Sequence, residues 1–373
     1  MSLPVGWVET TLGEIVDIYS GKTRPKEEGI IPVYGGNGIL NYTNKYNQED
    51  TTIIVGRVGA YCGNVFYEQN NFWLSDNALG IKNKDNSNME FLYYKLVNMK
   101  LNNYAIGGAQ PLLTQTLLKE LQINIPIDIQ EQKAIANILS SFDEKIELLK
   151  EQNKTLERMA QAVFKEWFVD FNFPDATGKP GEMPHGWKVG KLGEEFNITM
   201  GQSPKGETYN KLQNGIVFYQ GRAEFQARFP KRRLYTTAPK RYAEKFDVLM
   251  SVRAPVGDIN VASEKCCIGR GLSSINSKYK SYAFYKMKSL KKEFDSFEAE
   301  GTVFGSINKS SLENLEVIIP EEKIIKLYDL LVYPMDSKIY NNSNQIQTLQ
   351  KTRDTLLPKL MSGEKRVQGF KNG

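Results

Sequence analysis

Histidine and cysteine are scarce in this sequence of 373 residues, and their scarcity excludes several kinds of site. The single histidine, His185, cannot form the HExxH pattern of a zinc protease, which needs two histidines on one helix face. The three cysteines, Cys62, Cys266 and Cys267, are too few for a disulfide framework or a four-cysteine zinc site. We therefore expect no metal site in the chain, and a reducing, cytoplasmic location.

Long apolar runs and catalytic loops are also missing. No apolar run approaches the roughly 18 residues of a membrane-spanning helix, and the N-terminal segment lacks the regions of a secretory signal. The segment Gly21-Lys22-Thr23 has Val16 where a phosphate-binding loop needs a glycine. The Asn/Asp-Pro-Pro-aromatic motif of an amino-methyltransferase does not occur. These absences predict a chain that avoids membranes, binds no cofactor of its own and is not itself an enzyme.

Proline and glycine are absent from residues 127–170, where apolar residues recur in alternating steps of four and three. This is the a/d pattern of a coiled-coil helix, sustained over about four heptads. A second heptad pattern follows Pro320, although Pro334 and Pro358 predict that its regular part runs only from about residue 335 to 357. We expect the two helices to pair antiparallel through Leu139, Phe142, Ile146, Leu149, Leu156, Val163, Ile339, Ile346, Leu349 and Leu356. Packing of each helix on its own domain, or a coiled coil between two chains, remains open.

Two parts of the chain repeat each other. Before each long helix lies a segment of short strand-like runs, bounded by turn residues and containing a helix near residues 91–101 in the first copy. The sequence thus predicts an α+β fold with two repeated globular domains, separated by an antiparallel two-helix coiled coil with an internal pseudo-two-fold axis. The predicted segments are a first domain (1–126), a long helix (127–171), a linker (172–182), a second domain (183–320), a second long helix (321–363) and a tail (364–373).

The second domain carries a basic stretch with interleaved aromatic residues, whereas the net charge of the whole chain is only +5. Seven cations between residues 222 and 241 face a single acid within the stretch, Glu224. Such a stretch can neutralise phosphates, and arginine can also read guanine edges; a solvated flexible loop is the alternative. The candidate DNA-contacting residues of this domain are Arg222, Arg228, Lys231, Arg232 and Arg233, with Lys205, Arg253 and Phe304 from neighbouring loops.

The first domain is less basic, and its candidates lie in glycine-bounded loops. They are Lys22, Thr23, Arg24, Lys26, Tyr34, Asn37, Arg57 and Gln110. The loop that starts at Arg57 resembles the one that starts at Arg253, so we expect these two arginines to correspond. Different side chains on matching loops are typical of two recognition domains that bind different targets. The alternative is that these residues serve only to form turns.

Several motifs together carry a family resemblance. The dipeptide GW, followed five residues later by LGE, occurs in both copies, beginning at Gly6 and at Gly186. The other motifs are IQEQKAIA (129–136), FDEKI (142–146), FKEWFVDF (164–171) and LLPKLMSGE (356–364). The chain resembles the specificity subunit of a type I restriction–modification system over essentially its whole length.

The resemblance implies a function for each part. Each globular domain would be a target recognition domain that reads one half of a bipartite site in double-stranded DNA. The coiled coil would set the spacer and dock two modification (adenine methyltransferase) subunits, and two restriction subunits would join for cleavage. S-adenosylmethionine and ATP with Mg²⁺ would be used by those partners. A non-catalytic coiled-coil adaptor for proteins remains the alternative function.

Overall fold

A computed structural model of the chain describes residues 3–84, 87–108, 110–174, 176, 181–299 and 305–369. The chain divides by its internal contacts into unit 1, Met1–Glu147 with Gln347–Gly373, and unit 2, Leu148–Ile346. Each unit therefore combines one sequence repeat with parts of both long helices. Among the described residues, no helix has the length and apolar character needed to cross a membrane.

The strands and short helices of unit 1 precede the first long helix. In chain order they are β1 (Trp7–Thr11), α1 (Leu12–Ile15), β2 (Val16–Ser20), β3 (Ile31–Gly35), β4 (Gly38–Thr43), β5 (Thr52–Gly56), β6 (Val65–Glu68), β7 (Trp73–Leu74), β8 (Ala78–Asn83), α2 (Met89–Met99), α3 (Gln115–Lys119) and β9 (Gln122–Pro126), with 3-10 turns at Gly59–Tyr61 and Leu101–Tyr104. The long helix α4 (Ile129–Phe168) follows.

Unit 2 repeats this order with additional short strands. Its elements are β10 (Lys188–Lys191), α5 (Leu192–Glu195), β11 (Asn197–Met200), β12 (Tyr209–Asn210), β13 (Ile216–Tyr219), β14 (Leu234–Thr236), β15 (Tyr242–Ala243), β16 (Val248–Ser251), β17 (Ile259–Val261), β18 (Cys266–Ile268), β19 (Leu272–Asn276), α6 (Lys280–Ser289), α7 (Lys291–Ala299), α8 (Lys309–Glu313) and β20 (Glu316–Ile319), with 3-10 turns at Gly206–Thr208 and Arg222–Glu224. The second long helix, α9 (Glu322–Met361), ends the series.

The sheets of the two units share a common strand arrangement, to which unit 2 adds β12 and β15 at the edges of one sheet. Unit 1 has the strand orders β1-β9, β2-β8-β5-β6 and β4-β3-β7, and unit 2 has β10-β20, β11-β19-β16-β17 and β12-β14-β13-β18-β15. In each unit one parallel pair, β3 with β7 or β13 with β18, interrupts otherwise antiparallel pairing. The α+β fold and the two-fold repeat predicted from the sequence are confirmed.

Short polar side chains begin the helices that border these sheets. The side chain of Asn88 accepts a hydrogen bond from the N–H of Phe91 (2.8 Å) at the start of α2. Thr114 and Asn308 do the same for α3 and α8, accepting from the N–H groups three residues later at 3.1 and 2.9 Å. Each cap satisfies an N–H that has no partner within its helix, which fixes where the helix starts.

Both long helices run for 40 residues, which corresponds to about 60 Å at 1.5 Å per residue. The prediction that proline limits the second helix to about residues 335–357 is wrong, because α9 continues through Pro334 and Pro358. An interior proline costs a helix about 3 kcal/mol through its lost N–H and its ring contact. Buried side chains on both sides of Pro334, Val332 and Ile339, pack into the core of unit 2 and offset this cost.

The two long helices lie side by side and antiparallel within each unit. In unit 2, the hydroxyl of Tyr328 donates to the carbonyl of Ala160 (2.9 Å), while Asn342 donates to the side chain of Asn153 (2.9 Å). In unit 1, Arg353 of α9 pairs with Asp143 of α4. Of the predicted interface residues, Leu139, Ile146, Leu149 and Ile339 are buried, and Phe142, Leu156, Val163, Ile346, Leu349 and Leu356 are half-buried.

A carboxylate on each long helix anchors the adjoining domain. In unit 2, Asp336 accepts hydrogen bonds from Arg228 (2.7 Å) and from the hydroxyl of Tyr285 in α6 (3.2 Å). In unit 1, Asp143 accepts from the hydroxyl of Tyr94 in α2 (2.7 Å) and pairs with Arg353. We call these triads the helix–domain anchors. Because FDEKI (142–146) aligns with MDSKI (335–339), the two aspartates occupy equivalent positions in the repeat.

The anchor of unit 2 is the more buried of the two. The side chains of Arg228 and Asp336 are 7% and 14% exposed, and the guanidinium lies 3.3 Å from the ring centre of Phe284. Burial and the neighbouring carboxylate raise the pKa of Tyr94 in unit 1 far above its usual value. In unit 2, burial likewise raises the pKa of Tyr285. Both tyrosines therefore remain protonated and act as hydrogen-bond donors at neutral pH.

The anchor of unit 2 gives a prediction about stability. Asp336→Leu should lower the free energy of unfolding by about 3–5 kcal/mol, because it leaves the buried Arg228 without a counter-charge. The double variant Arg228→Met/Asp336→Leu should recover most of that loss, since no buried charge remains. Denaturant unfolding of the three proteins measures both effects.

The control is Glu207→Ala, which removes an exposed partner 3.8 Å from Lys205. It should change the stability by less than about 1 kcal/mol. A double variant no more stable than Asp336→Leu alone would show that Arg228 is not the source of the loss.

Candidate nucleic-acid interface

The arginines of the basic stretch in unit 2 have acidic partners that the sequence does not place nearby. Arg222 pairs with Asp258, Arg232 with Glu264, and Arg233 with Glu224. Only Glu224 belongs to the stretch itself, so the folded chain opposes these cations with more acids than the one that the stretch contains. Folding brings the other acids in from the loops around β17 and β18, and these pairs reduce the positive charge that the stretch presents.

Arg228 is not a DNA contact. Its ion pair with Asp336 and its position over Phe284 bury it in the core of unit 2. A guanidinium in that position cannot reach a phosphate without breaking the anchor. The other candidates of the stretch, Arg222, Lys231, Arg232 and Arg233, are exposed.

A cleft of about 360 Å³ lies beside the stretch and collects four arginines. It is lined by Arg222, Arg233, Arg253 and Arg270, together with Ser203 and Gln220. In the described part of the chain, neither Arg253 nor Arg270 has an acidic oxygen within ion-pair distance, and both are exposed. Arginines without internal partners, in a concave surface, are suited to phosphate and base-edge contacts.

Arg270 was missed by sequence analysis because it lies outside the basic stretch. It stands between Gly269 and Gly271, in the turn between β18 and β19. A Cβ on either glycine would come within 2.9 Å of the carbonyl oxygen of Gln220. Glycine is therefore required on both sides of Arg270. The sequence feature that could have identified Arg270 is a charged residue between two glycines.

Unit 1 has a groove of similar size at the corresponding loops. Its volume is about 360 Å³, and its lining includes Thr23, Arg24, Lys26, Asn41 and Asp76. Of the predicted residues of this domain, Lys22, Thr23, Arg24, Asn37 and Gln110 are exposed. Lys26, also predicted, is exposed as well, whereas Asp76 was not predicted. The groove combines cations with one carboxylate, so its electrostatic character differs from that of the cleft in unit 2.

Tyr34 is a second correction. It is 8% exposed, packs against Phe72 with ring centres 5.5 Å apart, and donates its hydroxyl proton to Glu68 at 2.9 Å. Val33, the preceding residue of β3, is buried as well, and the register between β3 and β4 shifts between these two residues, so simple alternation does not expose Tyr34. Tyr34 therefore stabilises unit 1 and does not contact DNA.

The predicted correspondence of Arg57 with Arg253 is also wrong, by one residue. The N–H of Arg57 donates to the carbonyl of Asn77 at 3.0 Å, and the N–H of Val252 donates to that of Gly271 at 3.0 Å. Arg57 therefore corresponds to Val252, and Arg253 to the residue after Arg57. Since successive side chains of an extended chain point to opposite sides, Arg57 is half-buried whereas Arg253 is exposed.

Two further candidates complete the account. Lys205 is exposed and lies 3.8 Å from Glu207. Phe304 lies outside the described residues. Within the part of the chain that the structure describes, no group of three His, Cys, Asp or Glu residues could hold a metal ion. All three cysteines are buried, and burial raises the pKa of the Cys62 and Cys267 thiols above their usual range.

Comparison with known proteins gives consistent matches. The family model described as "Type I restriction modification DNA specificity domain" matches residues 4–158 and 184–329. The chain is 35% identical to a putative type I restriction enzyme MjaX specificity subunit of Methanocaldococcus jannaschii, over 77% of this chain and 70% of that protein. It is 30% identical to the MjaIX specificity subunit of the same organism, over 90% of this chain and 84% of that protein.

A solved structure supports the fold. The S subunit of a type I restriction–modification system from M. genitalium matches with a TM-score of 0.70 at 21% identity, over 96% of this chain and 98% of that one. At this identity, the match concerns the fold alone.

Loss of the exposed Arg253 and loss of the buried Arg228 should affect DNA binding differently. Arg253→Ala should weaken binding at all sequences and flatten the dependence of log affinity on log salt by about one unit, as expected for one lost phosphate contact. The matched control Arg228→Met/Asp336→Leu removes a buried arginine and should leave the slope unchanged. Titrations at several salt concentrations measure both slopes. Equal slopes for Arg253→Ala and the unaltered protein would contradict the assignment of Arg253.

Proposed function

This chain belongs to the type I restriction–modification DNA specificity family, and we propose that it reads a bipartite DNA sequence, one half-site through each of its two target recognition domains. The observation that carries the proposal is the repeated scaffold with two different surfaces. Matching loops form an arginine-lined cleft in unit 2 and a groove of mixed charge in unit 1. One backbone with two sets of exposed side chains is suited to recognising two unrelated half-sites.

The contacts divide into positioning and reading. Exposed cations such as Lys22, Arg24, Lys231 and Arg253 are suited to phosphates, which fix the register of a protein on the duplex without specifying sequence. Polar side chains such as Gln110 and Asn37 are suited to base edges. The internally paired Arg222, Arg232 and Arg233 contribute less, because an ion pair must open before each can bind a phosphate.

The chain works in a complex with other restriction–modification subunits and DNA. We assign two modification subunits to it, with two restriction subunits added for cleavage. S-adenosylmethionine and ATP with Mg²⁺ belong, in this proposal, to those partners. The alternative considered from the sequence, a coiled-coil adaptor for proteins, would not need the exposed arginines of the cleft, and salt-dependent binding of duplex DNA by the complex distinguishes the two functions.

An apolar stripe on α9 is suited to one of these partners. Leu327, Leu330 and Leu331 are 40%, 63% and 45% exposed, at the i, i+3, i+4 spacing that places them on one helix face. Large apolar side chains grouped in this way on a soluble helix are typical of interaction surfaces. We assign this stripe to a modification subunit.

Methylation mapping tests the proposed function. The chain, produced with its modification subunits, should methylate adenines in a single bipartite motif with two unrelated halves and a fixed spacer. Paired insertions of four helical residues, after Leu149 in α4 and near Ile346 in α9, lengthen each helix by about 6 Å. If the helices set the spacer, it should grow by about two base pairs of roughly 3.4 Å each.

The matched control places the same four residues after Gln368, at an exposed position beyond the end of α9 and beyond the ion pair of Arg366 with Glu131. That protein should keep the original spacer. A spacer that stays unchanged in the helix-insertion protein, while both halves are still recognised, would contradict the role of the helices. Methylation without any sequence preference would contradict the proposed function itself.

A further inference from the structure

We propose that one turn, repeated in both domains, selects a base in each half-site through side chains of opposite charge: Asp76 in unit 1 and Arg270 in unit 2. We call residues 75–78 and 269–272 the recognition turns. In this proposal Arg270 binds guanine through its two major-groove acceptors. Asp76 accepts from the exocyclic amino group of cytosine or adenine. The inference rests on the proposed function and adds to it the residue that discriminates in each domain.

The two recognition turns have the same backbone hydrogen bonds. The turn itself closes by a bond from Ala78 N–H to the Ser75 carbonyl (3.1 Å) in unit 1 and from Leu272 N–H to the Gly269 carbonyl (3.0 Å) in unit 2. Two further hydrogen bonds of each turn also match. In unit 1, the N–H of Ser75 donates to the carbonyl of Tyr34 (2.9 Å), and the N–H of Lys22 donates to the carbonyl of Leu74 (3.0 Å). In unit 2, the N–H of Gly269 donates to the carbonyl of Tyr219 (2.8 Å), and the N–H of Gln202 donates to the carbonyl of Ile268 (2.9 Å). Asp76 and Arg270 therefore occupy the same position.

Both turns are held in place by the protein around them. The N–H of Arg270 donates to the Ser203 hydroxyl (3.2 Å), and the flanking glycines lie against the backbone of Gln220. In unit 1, the side chain of Asn47 accepts from the N–H of Leu74 (2.7 Å) and donates to its carbonyl (3.0 Å), which fixes the strand that leads into the turn. A turn ordered in advance loses little conformational freedom on binding, which favours selective contacts.

The position of Asp76 argues for a base contact. It is exposed in a groove that also presents Arg24 and Lys26, so bound DNA would bring phosphates close to this carboxylate. A carboxylate facing a phosphate is repelled, but it can accept a hydrogen bond from the amino group of a base. It also disfavours bases that present acceptors at that point, which is how a like-charge contact generates specificity.

The equivalent position then suggests the same role for Arg270. It is exposed, lines the cleft with Arg253, and has no acidic partner within ion-pair distance among the described residues. Arginine presents a planar fork of donors that matches the O6 and N7 acceptors of guanine. Since the backbone is the same in both domains, a change of one side chain would change the preferred base without altering the scaffold.

The test uses the chain assembled with its modification subunits and a DNA pool in which each half-site is randomised separately. Arg270→Ala should reduce the preference for guanine at one position of one half-site by roughly 5- to 150-fold, the range of one bidentate contact, and leave the other half-site unchanged. Asp76→Arg should move the preference at one position of the other half-site from cytosine or adenine towards guanine. The base preferred by the unaltered protein identifies which amino group Asp76 recognises.

Lys231→Ala is the matched control for loss of charge, because Lys231 is exposed, forms no ion pair with another described residue, and does not line the cleft. It should leave base preferences unchanged. All three substituted residues are exposed, so thermal unfolding should match that of the unaltered protein and exclude a folding defect.

The experiment distinguishes failure of the base-selection proposal from failure of the proposed DNA-reading function. If Arg270→Ala weakens binding equally at every sequence, or has no effect, Arg270 does not select a base and the proposal is overturned while the function stands. If Asp76→Arg leaves the preferred base unchanged, the proposal fails for unit 1. If the unaltered complex shows no preference in either half-site, the proposed function fails first.

Discussion

The structure of each unit depends on one buried or half-buried carboxylate on a long helix. Asp336 and Asp143 accept hydrogen bonds from a tyrosine of the domain helix and from an arginine, and so hold the domain against the helix pair. A carboxylate removed from water is costly unless it is paired, so the partners must be present together. The anchor therefore specifies one way of packing a domain on its helices. The repeat of FDEKI as MDSKI preserves that requirement in both units.

This constraint separates the residues that hold the fold from those that can vary. The anchor, the strand pairs and the aromatic cores are buried, whereas the cleft and the groove are formed by turns between strands. Exposed side chains on such turns can change without creating a cavity or an unpaired charge in the core. The opposite charges of Asp76 and Arg270 on the same backbone are an example of that freedom. A scaffold of this kind keeps its fold when the exposed side chains of its turns differ.

The sequence predicted the fold well because the fold depends on patterns that are local. The heptad spacing indicated both long helices, and the repeated motifs indicated two domains of one topology. Pro334 misled the prediction because propensity describes an isolated helix, whereas packing of Val332 and Ile339 decides this one. Tyr34 misled it because a tyrosine near glycines reads equally well as a loop residue or as the end of a buried strand.

The candidate site was harder to predict because it depends on contacts between distant residues. Arg228 looked free in a basic stretch, yet Asp336 lies 108 residues further along the chain. The acids that pair with Arg222 and Arg232 likewise come from other loops. Conversely, Arg270 has no cluster around it in sequence and gains its place in the cleft only by folding. Charge counting along a sequence therefore indicated a basic segment, but it did not show which of its arginines are paired or buried in the folded chain.

Hydrogen–deuterium exchange of the assembled complex, with and without its cognate DNA, tests the central claim most directly. The account predicts that DNA slows exchange in peptides spanning both recognition turns, residues 75–78 and 269–272. It predicts no change in α6, whose Tyr285 belongs to the buried anchor. Protection confined to α6, or protection that omits both turns, would contradict the claim that equivalent turns on one repeated scaffold contact the DNA.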